Sequence, residues 1–181
     1  MLTLVIPETE IWDEKNMCFI YVNKTKLKME HSLLSLSKWE EKYEKPFLDN
    51  NKKTKEEELD YYKFMTTNPN VDDNVFQALT PEDLKVLDEY INKKKHTATR
   101  VPESKKPSNN SQFVTSELIY YWMLEAGIPY ECEKWNLQRL LTLLQVVSNE
   151  RGPKKKMTQE EVIADYASLN KIRRAKLKTK G

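Results

Sequence analysis

The sequence predicts an α+β fold that is mainly α. A small N-terminal antiparallel sheet of two or three strands comes first, then a helical domain of about six helices that includes an αα-hairpin. Three observations predict it. Apolar residues alternate at period two over the first thirty positions and recur at about 3.6 from Ser32 onward. Only three glycines occur in 181 residues, against many Lys, Glu and Leu, which favours helix. Helix-start signals recur at Thr54, Thr80 and Thr158.

Leu2, Leu4 and Ile6 alternate with Thr3 and Val5 until Pro7, which has no N–H to give to a ladder. Residues 18–22 (CFIYV) form a second β-rich run, and 25–30 (TKLKME) alternates polar with apolar. The short Asn23-Lys24 link between them is compatible with a tight hairpin, although it lacks the favoured Asn-Gly pair. Over 32–44, Leu33, Leu36, Trp39 and Tyr43 set an apolar stripe on a first helix, which Pro46 ends.

Thr54 and Glu57 sit at capping-box spacing before a helix whose expected buried side is Leu59, Tyr62, Phe64 and Met65. Asn68-Pro69-Asn70 breaks that helix. Thr80 as N-cap and Pro81 at the first helical position open the next, with Leu84, Leu87, Tyr90 and Ile91 behind them. Apolar residues surround the helix that begins at Thr115, and Gly127 stands where a left-handed cap is needed. A further apolar helix, about 131–149, carries Trp135, Leu137, Leu140, Leu141, Leu143, Leu144, Val146 and Val147 and completes the αα-hairpin. Val162, Ile163, Tyr166 and Leu169 mark a last amphipathic helix that runs into a basic, fraying end.

The chain therefore divides into a β-rich segment (1–30), an N-terminal helical part (31–94), a flexible polar loop (95–112), an apolar hairpin (113–150) and a basic C-terminal helix and tail (151–181). One compact domain plus a tail is the expected organisation, because each half alone would have a thin core. Residues 151–181 hold ten Lys or Arg against three acids, a net of +7, so the remainder is at −5. An acidic body with a basic tail can bind an anion or an acidic face of a second copy, and the tail can also simply be solvated. No apolar run approaches the roughly 18 residues that span a bilayer, and the acidic start MLTLVIPETE does not resemble a secretory signal. Cys18 and Cys132 are expected to be reduced, buried thiols in a cytosolic compartment.

Chemistry is hard to place on this chain. His31 and His96 have no partner at a recognisable spacing, no paired cysteines suit zinc, and no glycine-rich loop could cradle a phosphate. The acids of EEKYE and KEEELD suit i,i+4 pairing with lysine on a solvated face. The expectation is a non-enzymatic protein with no catalytic residue, cofactor or metal. For nucleic acid, Lys154, Lys155, Lys156, Arg173, Arg174 and Lys176 form a basic tail able to grip phosphates, but no aromatic residue interleaves with it to stack on bases. Three consecutive aromatics, Tyr120, Tyr121 and Trp122, cannot all point inward from one helix, so at least one must meet another helix, a subunit or a ligand.

Two stretches resemble a family of small tailed-bacteriophage proteins, the tail assembly chaperones. They are HSLLSLSKWEEKYEKPFL at 31–48 and SELIYYWMLEAGIPYECEKWNLQRLLTLLQVV at 116–147, the latter followed by PKKKM at 153–157 and the ending ASLNKIRRAKLKTKG. The likeness covers most of the chain in its order of parts. It implies an interaction protein of the infected host cytoplasm that coats the helix-rich tape-measure protein until the tail tube forms around it. Exposed apolar helical stripes aggregate unless covered, and a helix-in-groove partner can cover them. Candidate contacts are Trp39, Tyr43, Tyr120, Tyr121, Trp122 and Trp135, with Arg139 available to pair with an acid of the partner or of its own chain; taken singly each reads more readily as core than as contact, the run Tyr120-Tyr121-Trp122 excepted. Homo-oligomerisation and contacts with other tail proteins are further expectations. The alternatives are a structural virion component, such as a connector or tail-completion protein, and a nucleic-acid-binding accessory protein that uses the basic tail.

Overall fold

Pro7 shapes the N-terminal sheet. The computed structural model describes residues 1–13, 17–49, 51–93, 96–99 and 113–151, and beyond these 163, 166–170, 173, 174 and 176. β1 (Leu2–Ile6) pairs antiparallel with β4 (Thr25–Met29), and β2 (Thr9–Asp13) with β3 (Cys18–Val22). Leu2 opposes Met29 and Ile6 opposes Thr25; Thr9 opposes Val22 and Asp13 opposes Cys18. The register does not slip between the two ladders, so Pro7 and Glu8 stand opposite Lys24 and Asn23. One long ribbon is interrupted where proline cannot donate.

This corrects the expected hairpin at Asn23-Lys24: those residues lie mid-ribbon, and the chain reverses between Asp13 and Cys18, where Met17 has φ 53°. It also adds a strand, β2, whose Glu10 and Trp12 alternate with Thr9 and Ile11, so neither face reads as apolar. The side turned to the body changes at the interruption. Leu4, Ile6, Leu27 and Met29 are buried in the first ladder, whereas in the second Val22 is buried and Ile11 leans on the core.

The ribbon's inner face forms one apolar cluster with Leu33, Leu36 and Trp39 of α1 (Leu33–Tyr43) and with Tyr61 and Met65 of α2 (Lys55–Met65). α1 is opened by Ser32 and Ser35, which bond each other's backbone N–H, and it stops at Glu44 in a left-handed conformation, two residues before Pro46. α2 carries the expected Thr54–Glu57 box. Of its expected buried side, Tyr62 and Met65 are buried while Leu59 and Phe64 are half-buried against the core, and Glu57, Asp60 and Tyr61 are buried beside them. The polar demands of α1 explain the burial of Glu57 and Asp60. Trp39 Nε1 donates to the Glu57 carbonyl (2.8 Å), Tyr43 OH donates to Asp60 Oδ2 (2.6 Å), and Lys42 pairs with Asp60.

α3 (Asn74–Gln77) is a single turn that packs on α2 and β3. α4 (Pro81–Ile91) has the expected Thr80 cap and proline start, and Leu87 is its one buried residue; Leu84 is exposed. α5 (Ser116–Ala126) packs against α1 and ends at Gly127 with φ 65°. The helix expected over 131–149 is two elements, a 3₁₀ turn at Tyr130–Lys134 and α6 (Leu137–Arg151), with extended Trp135 between them. The break lets Leu137 N donate to the His31 carbonyl (2.7 Å), while Asn136 Oδ1 accepts from Gln138 N (3.1 Å).

Of the cysteines, Cys132 is buried as expected, but Cys18 is exposed beside the ribbon's reversal. No helix among the described residues is long and apolar enough to cross a membrane. The chain divides into two units, Met1–Val147 and Ser148–Gly181. In the second, Ile163, residues 166–170, Arg173, Arg174 and Lys176 are helical. Lys154, Lys155 and Lys156 lie outside the described residues, as does the expected polar loop at 95–112 except for residues 96–99.

Candidate partner-binding surface

α5 is set in place from its N-terminus. Thr115 makes no side-chain cap bond. The buried carboxylate of Glu40 in α1 instead accepts from Ser116 N (2.7 Å) with one oxygen and from Phe47 N (2.7 Å) with the other. A carboxylate at a helix N-terminus satisfies an otherwise orphaned N–H and opposes the positive end of the dipole. With Ser116, Ile119 and Met123 buried, the opposite side of α5 faces outward.

Successive helical residues are about 100° apart, so the aromatic triplet fans out rather than making one face. Tyr120 is half-buried; its OH donates to Glu133 Oε2 (2.8 Å) and its ring stacks on Tyr130 at 5.2 Å. Tyr121 is 53 % exposed and donates to Glu125 Oε1 (2.7 Å). Leu124, 70 % exposed, lies one turn from both and shares their face. Trp122 (36 % exposed) points to the opposite flank, roughly 160° from Leu124. The surface is thus Tyr120, Tyr121, Leu124 and Tyr130, the last contributed by the 3₁₀ turn.

Both phenols titrate above their ordinary range. Burial and then the Glu133 carboxylate raise Tyr120; the hydrogen bond to Glu125 raises Tyr121. They stay neutral donors over the physiological range. Apolar area with fixed polar tips suits reversible docking of a helix.

The other expected contact residues are placed differently. Trp39 is 1 % exposed and hydrogen-bonded inside the core, so it is not available to a partner. Tyr43 is half-buried and spends its hydroxyl on Asp60; burial and that carboxylate both push its pKa up. Trp135 is half-buried under the Arg139 guanidinium, 4.2 Å from its ring centroid, so Arg139 finds an aromatic partner in its own chain. Arg173, Arg174 and Lys176 are exposed on helical residues of the second unit.

Leu124 and Tyr130 were not singled out from sequence. A leucine in an apolar helix reads as core, and Tyr130 follows a proline turn whose 3₁₀ geometry has no periodic signal. His31, which showed no sequence partner, is 3 % exposed with Nδ1 2.5 Å from Tyr61 OH, and burial lowers its pKa to about 4. Among the described residues no group of three His, Cys, Asp or Glu is arranged to hold a metal ion. No protein-family model, curated protein or solved structure matches this chain.

Proposed function

We propose that this protein is a non-enzymatic chaperone for apolar helices, acting on the tape-measure protein during phage tail assembly as its sequence resemblance implies. The observation that carries the reading is Leu124, held 70 % exposed between Tyr121 and the Tyr120–Tyr130 stack on a helix anchored from within. Burying such a side chain is worth about 1.5–3 kcal/mol. Three or four of them offset an association cost of about 4–15 kcal/mol only modestly. Binding of that strength is reversible, which a chaperone displaced by tube assembly requires.

Co-expression with the tape-measure protein of the same genome, then affinity capture and sizing, tests it. A soluble complex with several copies of this protein per tape measure is expected. An insoluble, unbound tape measure contradicts it. Presence of the chain in purified particles at a fixed copy number would favour a structural virion role instead.

A further inference from the structure

We propose that the α5 surface is covered, until a client helix takes it, by the basic C-terminal helix of a second copy of this chain. The inference rests on α5 receiving a helix, as proposed above, and not on the tape-measure protein being the client. In the second unit, Ile163, Tyr166 and Leu169 are helical and exposed by 67 %, 65 % and 47 %. Spaced three apart, they lie along one side of a helix, and Arg173 continues that side with Arg174 and Lys176 next to it. The result is an apolar stripe, open to solvent, that runs into a basic end. A stripe of this kind is stabilised by docking on an apolar face.

The α5 surface carries the opposite sign. Tyr120, Tyr121, Leu124 and Tyr130 are bordered by Glu117, which stands one turn before Tyr120 and Tyr121 on the same side of α5. Glu125 of α5 and Glu131 and Glu133 of the 3₁₀ turn continue the border, and Lys134 is the one cation on these two elements. Glu133 and Glu125 accept from the Tyr120 and Tyr121 hydroxyls, and a neutral donor leaves a carboxylate its charge. No ion pair among the described residues uses Glu117, Glu131 or Glu133.

Each surface supplies what the other lacks. Tyrosine and leucine area meets an Ile-Tyr-Leu stripe, and carboxylates meet guanidinium and ammonium groups. Both surfaces are bare in a single chain, so the cover comes from another copy. Pairing of like with like is opposed, since it would set carboxylate on carboxylate or arginine on arginine. Copies therefore join tail to surface, and two that exchange tails close as a twofold pair. Three apolar side chains bind weakly once the cost of association is met, so the cover leaves on dilution and yields to a client with a longer stripe.

Sedimentation equilibrium on the full chain, with no client present, tests the inference. The wild type should associate reversibly, and less so at high salt. Tyr166→Ser in the tail and Leu124→Ser on α5 should each weaken association about tenfold or more, with unchanged circular dichroism because both side chains are exposed. Arg173→Glu with Arg174→Glu should weaken it by a similar factor. Mixing the Tyr166→Ser and Leu124→Ser chains should restore a complex with one copy of each, because the first keeps its surface and the second its tail. A wild type that stays monomeric, a variant that associates like the wild type, or a mixture that stays monomeric overturns the proposal. Failed capture of the tape measure would leave this result untouched, and a monomeric wild type would leave capture untouched.

Discussion

Glu40 in α1 caps α5 through Ser116, 76 residues later in the chain, with its second oxygen holding Phe47 N. Both bonds are 2.7 Å, and the glutamate is 7 % exposed. The core contact is thereby tied to the candidate surface, because whatever orients Ser116 orients Tyr120, Tyr121 and Leu124. Glu40→Ala strands two buried N–H groups, and a loss of about 2–4 kcal/mol in urea-denaturation stability is expected. Glu40→Gln retains one acceptor and should cost about half as much. A loss below about 0.5 kcal/mol for Glu40→Ala would show that the cap is not structural.

His31 makes stability depend on pH. Burial holds it near a pKa of about 4 in the folded chain, against about 6.5 when unfolded. Between those values the unfolded state binds the extra proton, so stability is full above about pH 6.5 and falls as pH drops toward 4. From pH 7 to 4.5 the loss should be about 2–3 kcal/mol. Denaturation midpoints measured at intervals across that window check it, and His31→Asn should flatten the slope whatever its own effect on stability. A wild-type slope of zero would mean that the ring is not buried in solution. The carboxyls of Glu30, Glu57 and Asp60, all held below their ordinary range, add their own losses at lower pH.

Trp39 and Trp122 should separate cleanly. Trp39→Ala opens a cavity and removes the indole N–H bond to the Glu57 carbonyl, for an expected loss of about 3–5 kcal/mol. Trp122→Ala removes a third-exposed side chain, and its effect on stability should be within about 1 kcal/mol. Comparable losses at both positions, read from thermal melts, would contradict the placement of α5.

The helices were legible because their ends carry local chemistry. Thr54 with Glu57, Thr80 with Pro81, and Gly127 each act within a few residues, so spacing alone places them. What was hidden depends on distant partners. The Asn23-Lys24 pair looks like a turn, and only the register with β1 and β2 shows that it faces Pro7 and Glu8. The burial of Glu57 and Asp60 in α2 follows from their bonds to Trp39 and Tyr43, and the break before α6 from the bond of Leu137 to His31. For the candidate surface, the triplet at 120–122 signalled that α5 must expose aromatics. Which side did so was set by Glu40 and by the stack with Tyr130, neither of which has a sequence signature.

Leu124→Glu places a charge at the centre of the surface while touching nothing buried. Melting should be unchanged within about 0.5 kcal/mol, and the captured tape measure should fall about tenfold or more, as for a buried charge without a partner. Trp122→Ala, on the opposite flank, should leave capture nearly intact. Equal effects from the two would place the contact somewhere other than the Tyr120–Leu124 face.

Amide hydrogen exchange of the full chain with and without bound tape-measure protein tests most directly whether α5 and the following 3₁₀ turn receive the helix. New protection should concentrate in peptides covering 113–134, and Leu124→Glu should abolish it. Protection confined to other segments, or none in a complex that capture shows to be formed, would contradict that surface.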